Sequence, residues 1–246
     1  GQQMTAAAGG SYTAILDNNS PSYAITAGGT TGVELARIKF SALNEDIDIN
    51  RINLQLTGVA SNSPNDLINN AVNLYDLDAP TVVLATASFG AGDYATSSTI
   101  TNLKVLKGLS KVVVVKGDIS AIGPTSNLTA SGDLLVVDYD GGSNGVANGN
   151  YGTGVASKST IAGTSADTAA SGVRIMKSYP VVAYIPLTTG ERSLSNGSNR
   201  TLYKFSVQAK GGDVAMAKFN FRIGSSTLAN STATTSVYAL YAFTDS

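Results

Sequence analysis

The 246-residue chain contains no cysteine, no histidine and no tryptophan, and only 13% of its residues are charged. Without cysteine there is neither a disulfide nor thiolate chemistry, and without histidine the commonest general base and metal ligand is missing. A formal net charge of −1 offers no basic stripe for nucleic acid and no polybasic patch for a membrane surface. No apolar run approaches the ~20 residues that span a bilayer, so direct membrane insertion is not expected of this segment, and any leader or anchor would lie outside it. What remains is rich in Gly, Ala, Ser, Thr, Asn and Val, with Tyr as the leading aromatic. That balance suits an exported β-protein covered with small neutral polar groups; a Gly-rich all-β domain of any compartment has the same composition.

The spacing of residues 11–57 returns without a gap at 178–224, a shift of 167 positions. Leu35, Ile38, Phe40, Ala42, Ile47, Ile49, Ile52, Leu54 and Leu56 meet Leu202, Phe205, Val207, Ala209, Val214, Met216, Phe219, Phe221 and Ile223, apolar on apolar at all nine positions. Ser11-Tyr12 meets Ser178-Tyr179, Arg37 meets Lys204, Asp46 meets Asp213 and Asn53 meets Asn220, whereas residues 18–34 show no match. One residue out of phase, Asn73-Leu74-Tyr75 matches Ala239-Leu240-Tyr241. The expected organisation is an N-terminal extension over 1–10, a first unit over 11–177 and a second, short or incomplete unit over 178–246.

Apolar residues alternate with period two in most segments, as in strands with one buried face. In Leu35–Ala42, Arg37, Lys39 and Ser41 point outward while Ile38, Phe40 and Ala42 point in. The spacing between Ile49 and Ile52 is odd, which places a bulge or break at Asn50-Arg51, and the same jump recurs between Met216 and Phe219. After a loop at Ser61–Asn70, strands are expected over Ala71–Leu77, Thr81–Phe89, Thr99–Leu106, Ser110–Ser120 and Asp133–Asp138, joined by turn residues such as Asp78-Ala79-Pro80 and Gly90-Ala91-Gly92-Asp93. Val112–Val115 is apolar on both faces and reads as a central strand guarded by Lys111 and Lys116. Gly141–Ala170 is almost free of large apolar residues and reads as a long hairpin-like or mobile excursion, and Gly172–Pro186 as a strand leading into the second unit. No helical period is present, so the fold class is all-β, with tandem antiparallel β-sandwich units of immunoglobulin-like, Greek-key type.

Without His or Cys, catalysis would need paired carboxylates or a Ser-Lys pair. Glu45, Asp46 and Asp48, then Asp76 and Asp78, then Asp133, Asp138 and Asp140 all fall at strand ends or turns, where Asp serves the backbone, and no active site is assigned. Asp138-Tyr139-Asp140-Gly141-Gly142-Ser143-Asn144 has oxygen ligands at alternate positions before glycines, which makes Asp138, Asp140 and Asn144 a candidate calcium set without the closing bidentate Glu of an EF-hand. Beside it stands the plain reading, an Asp/Gly turn; Asn44–Asp48 is a second such cluster. Asn-x-Ser/Thr sequons occur at Asn18, Asn127, Asn196, Asn199 and Asn230, and matter only in a glycosylating source. Tyr12, Tyr75, Tyr179, Tyr203 and Tyr241 read as strand residues of core or interface, and no aromatic trio for a glycan stands out.

Over Leu35–Gly58 (apolar-x-x-Ile-x-Phe-x-Ala, a short acidic turn, then Ile-x-x-Ile-x-Leu-x-Leu) the chain resembles β-sandwich repeats of large bacterial surface proteins. It is similar to modules of surface-layer-like and adhesin-like proteins from candidate-phyla (Patescibacteria) genomes. Asn73-Leu74-Tyr75-Asp76, Val113–Ile119 and Val173–Pro180 extend the resemblance over residues 11–246. It implies a structural or adhesive role on the cell exterior, carries over no catalytic residue, and departs from the modules in its short second unit of 69 residues. An unsatisfied strand edge there would accept a strand from another subunit, with Gly1–Gly10 as the natural donor, giving a homopolymer built head to tail. The expected function is therefore a filament or surface-layer subunit. The alternatives are an adhesin with a glycan or neighbouring-cell partner, an enzyme using two facing carboxylates, and a fragment of a longer array.

Overall fold

In a computed structural model the chain is described over residues 9–57, 63–90, 92–123, 130–142, 149–164, 166–192, 200–222 and 238–243. It is all-β, as the alternation requires, and among the described residues the only helical turn is a 3-10 turn at Pro64–Asp66. The strands in chain order are β1 (Ser11–Leu16), β2 (Ala24–Ala27), β3 (Val33–Leu43), β4 (Ile47–Arg51), β5 (Asn53–Leu56), β6 (Leu67–Asp76), β7 (Ala79–Phe89), β8 (Tyr94–Ser97), β9 (Lys104–Val105), β10 (Ser110–Ile119), β11 (Leu134–Leu135), β12 (Val137–Tyr139), β13 (Tyr151–Gly154), β14 (Thr160–Ala162), β15 (Val173–Met176), β16 (Tyr179–Ile185) and β17 (Lys204–Lys210). One sheet runs β1-β3-β10-β6-β7-β8-β5-β12, a second β14-β13-β4-β9, a third β11-β15-β2, and β16-β17 stand as a pair.

The first three sheets share one core. Ile38, Phe40 and Ala42 of β3, Leu74 of β6, Val113 and Val115 of β10, Ile47 and Ile49 of β4, Leu54 of β5 and Ile175 of β15 are all buried in it. The Val112–Val115 strand is central, hydrogen-bonded to β3 on one side and β6 on the other, both antiparallel. The odd step after Ile49 is where the chain changes sheets. β4 pairs with β13 and β9, while β5, one residue later, pairs with β8 and β12; the slip at Tyr151/Gly152 opposite Arg51 and Ile49 absorbs the extra residue.

Several boundaries differ from the sequence reading. Leu67–Asn70 belongs to β6 and not to the preceding loop, with Asn69 and Asn70 at positive φ inside it. Of Thr99–Leu106 only Lys104–Val105 is strand, although Ile100 and Leu103 are buried. Their backbones serve β4 as caps instead, Ile49 N donating to Leu103 O at 2.8 Å and Ile100 N to Asn50 O at 2.8 Å. Asp133–Asp138 breaks at Val136, because β11 joins β15 in the third sheet and β12 joins β5 in the first. β2 and β8 are strands that the alternation did not mark.

The Gly-rich 141–170 stretch holds the β13–β14 hairpin, packed as the edge of the second sheet. Close approach favours glycine in this hairpin: a Cβ on Gly152 would stand 2.8 Å from Ile47 Cγ2 and 2.9 Å from the Asp48 carbonyl, and one on Gly154 2.5 Å from Glu45 Oε1. β15 lies parallel to β2, so Gly172–Pro186 is two strands belonging to two different sheets.

The residues form two compact units, Gly1–Val214 and Ala215–Ser246. The β16–β17 hairpin thus belongs to the first, whereas the repeat boundary falls at Lys177/Ser178. In the second unit the described residues form no strand, although in sequence Val214–Ile223 repeats the spacing of β4 and β5.

Candidate functional site

Asp138 and Asp140 lie at the end of β12, and both are buried. The Asp138 carboxylate accepts hydrogen bonds from the Thr57 hydroxyl, from Thr168 Oγ1 at 2.8 Å and from the Ala170 amide at 2.7 Å. Burial dominates these donors and raises its pKa above the ordinary aspartate value. Asp140 is held through its backbone, its amide donating to Asn53 O at 3.0 Å and its carbonyl accepting from the buried Asn150 amide. The amides of Gly141 and Gly142 turn to Asp167 Oδ1, at 2.8 and 3.3 Å. Asn144, the third member of the calcium set, lies outside the described residues, among which no cluster of three or more acidic side chains is placed to hold a metal. The arrangement seen is a buried acid that ties β12 to the strand end at Thr57 and to the segment before β15.

The other carboxylates face turns and lysines. Glu45 spans two segments: Oε1 accepts from the Gly10 amide at 3.2 Å and the Ser157 hydroxyl at 2.8 Å, Oε2 from the Ala156 and Ser157 amides at 2.9 Å each. The bonds from Ser157 lead in lowering its pKa. Asp46 accepts from the Lys107 amide at 2.8 Å, Asp133 from the Ala130 amide at 2.8 Å, and Asp76 and Asp78 flank Lys111 at 3.0 and 2.5 Å. Asp48 stands 3.8 Å from Lys104.

Of the tyrosines, Tyr12 is buried with Phe40 and Tyr139, ring centroids 6.2 and 6.1 Å from Phe40, and burial raises both phenols. Lys116 Nζ sits 4.8 Å over the Tyr75 ring. Tyr203 and Tyr241 do not lie in strands, and both are exposed. Tyr184, Tyr203 and Phe205 stack in a row, 5.5 and 5.8 Å between successive rings. This trio was not legible in the sequence, because the ring partners lie on two segments that only the hairpin brings together. Asn18 is an exposed turn residue; the other four sequons lie outside the described residues.

That hairpin exposes Val181, Val182, Tyr184, Ile185 and Val207. β16 and β17 pair antiparallel, as β1 does with Ile38–Leu43 of β3, and Asn44 and Gly211, the residues that follow β3 and β17, both have positive φ, 71° and 80°. The pairing carries β16 one residue further along than the 167-residue spacing. Tyr179 stands opposite Lys210, where the repeat would place Ser178. Such a slip exchanges the faces of β16, and Tyr179–Ile185 is apolar enough on both for either to serve. Pro180, Val182 and Tyr184 therefore share a face with Phe205, Val207 and Ala209. Val182 is 56% exposed, Tyr184 58% and Val207 39%, whereas Phe40, the counterpart of Val207, is fully buried. In the first pair β10 covers the far edge of β3; among the described strands β17 has only β16.

Comparison of the chain with protein-family models, curated proteins and solved structures finds no match. No helix among the described residues is long and apolar enough to cross a membrane.

Proposed function

We propose that this chain is an extracellular structural protein, the subunit of a self-assembling cell-surface filament or surface layer. The observation that carries the reading is the β16–β17 hairpin, a strand pair built like β1–β3 that presents Val182, Tyr184 and Val207 to solvent. An isolated two-stranded ribbon is marginal in water, and an apolar sheet face with an open edge is the usual site at which another chain adds a strand. The absence of His and Cys and the low charge agree with a structural role outside the cell, without a catalytic centre and without a bound cofactor. Electron microscopy of the purified chain beside Val182→Asp/Val207→Asp tests it. Filaments or sheets from the parent that are lost in the double variant support assembly through the hairpin; dispersed monomers of the parent overturn it.

A second reading, an adhesin or glycan-binding module that does not self-assemble, is favoured by the Tyr184–Tyr203–Phe205 row, whose two tyrosines are exposed, since sugar rings stack on aromatic faces. Glycan-array binding that is lost in Tyr203→Ala would select it.

A further inference from the structure

The outer strands differ in how their free edges are guarded. Beyond β12 the Tyr139 amide donates to Thr168 Oγ1 at 2.9 Å and the Gly141 amide to Asp167 Oδ1 at 2.8 Å, and beyond β1 the Ala14 amide donates to Thr164 Oγ1 at 2.8 Å. Side chains there take the place of a next strand. The half of β7 that β8 leaves unpaired carries Pro80, and its pairing with β6 shifts register at Leu74/Tyr75 and again at Tyr75/Asp76. The outer strands β2, β9, β11 and β14 have 4, 2, 2 and 3 residues. Short length, bulges, proline and cover are devices that keep a sheet edge from adding a strand.

β17 has none of these four. Its 7 residues pair with β16 without a shift in register, and among the described strands nothing lies on its far side. β16 carries Pro180, which has no amide to offer, so β17 is the edge of the hairpin that can take a full ladder. Phe205, Val207 and Ala209 share the apolar face, and Lys204, Ser206, Gln208 and Lys210 the other. Only a pairing that sets odd-numbered residues opposite odd-numbered ones continues both faces across a seam. Antiparallel pairing of β17 with β17 of a second copy, Val207 opposite Val207, does so, with Phe205 opposite Ala209 and Ser206 opposite Gln208.

The lysines at its two ends are the guard that remains. Lys204 holds Glu191 at 2.5 Å, whereas Lys210 has no ion pair among the described residues. Two-fold pairing brings Lys210 of each copy beside the other copy's Glu191, so an acid stands between the lysines at both ends of the seam. The hairpin joins the rest of its unit at the Tyr179/Lys210 end, where the Lys177 amide donates to Ser131 Oγ at 3.1 Å. Antiparallel pairing therefore leaves the two bodies at opposite ends of the joined sheet, clear of one another.

We propose that β17 is a self-pairing edge through which two copies of this chain form one sheet ordered β16-β17-β17-β16. Four strands with a common apolar face are stable where a two-stranded ribbon is marginal. The proposal rests on the structural-subunit reading and names the partner strand. Being two-fold, the contact closes on itself and makes pairs, and a filament of pairs needs a second contact.

The chain has no cysteine, so single-cysteine variants report the seam directly. Under mild oxidation, Val207→Cys is expected to form a disulfide-linked dimer about tenfold faster than Val182→Cys in β16. In sedimentation equilibrium of the cysteine-free chain, Glu191→Gln leaves lysines facing each other and is expected to raise the dissociation constant about tenfold, with Lys210→Glu in the same chain restoring it. Equal cross-linking at the two positions, faster cross-linking at Val182→Cys, or a Glu191→Gln pair as tight as the parent's overturns the proposal. Electron microscopy reads assembly separately. Filaments without preferential cross-linking at Val207→Cys remove the pairing alone, and cross-linked pairs without filaments remove the filament reading alone.

Discussion

The β1–β3 pair and the β16–β17 pair show one strand arrangement in two surroundings. Both are antiparallel, and both end in a residue at positive φ, yet Phe40 is completely buried and Val207, its counterpart, is 39% exposed. Local pattern is enough to make a hairpin. Whether its apolar face becomes core is decided by elements far away in sequence, here β10 along the edge of β3 and β4 and β12 across the interior. The same pattern is stabilising where those elements are present and leaves an exposed apolar face where they are not.

Substitution at the two equivalent positions gives the widest separation. Phe40→Ala removes a ring packed between Tyr12 and Tyr139 and should cost about 3–5 kcal/mol in denaturant unfolding, whereas Val207→Ala should change it by roughly 0.5 kcal/mol. If both cost the same, the two hairpins are not in different surroundings. Next in size is Gly211→Ala, which brings a Cβ against Ala27 in a backbone region that side chains avoid, at about 1–3 kcal/mol to the seating of the hairpin. Trypsin cleavage after Lys177 and Lys210 should accelerate while the main melting transition stays in place.

Asp138 sharpens the contrast from inside the first unit. Its folded pKa is raised by burial, so its contribution is fully present below the unfolded value of ~3.9 and is lost as pH rises through the folded pKa. Asp138→Asn should flatten that decline, leaving the variant no less stable than the parent at neutral pH and without the parent's relative gain in acid. A parallel pair of stability–pH curves would show that the buried acid does not titrate as described. The smallest effect is expected at Glu45, whose pKa is lowered by the Ser157 bonds and by those from Ala156 and Gly10. Its contribution is present above the ordinary glutamate pKa and fades as pH falls through the depressed value. Glu45→Gln should speed amide exchange at Ala156 and Ser157 at neutral pH, with little further change on acidification.

Much of the architecture is legible in the residues because its determinants are local. Alternation marks β3, β7 and β10, the doubly apolar Val112–Val115 marks a centre, and the Ile49–Ile52 spacing marks a break, which the structure shows to be a change of sheet. What escapes is what depends on a distant neighbour. Gly152 and Gly154 look like linker until Ile47 and Glu45 are seen against them, and Ile100 and Leu103 look like strand although the Ile100 amide and the Leu103 carbonyl serve β4 as caps. The parallel pairing of β15 with β2 leaves no trace in either segment. Of the candidate site, Asp138 was marked as a ligand by its spacing, but the spacing does not show that Thr57, Thr168 and Ala170 occupy its oxygens. The exposed face of the hairpin hides behind a sequence pattern that elsewhere means core.

The parallel register of β15 on β2 also bears on force. β15 lies between β2 and β11, pairs Val173 through Met176 with Ala24 through Ala27, and leads straight into the hairpin. A pull on Lys177 along the axis of β15 loads these rungs together in shear; it does not peel them one at a time. The strand that leads into the hairpin is thus also the bolt that tension must slide out before the core around it can open.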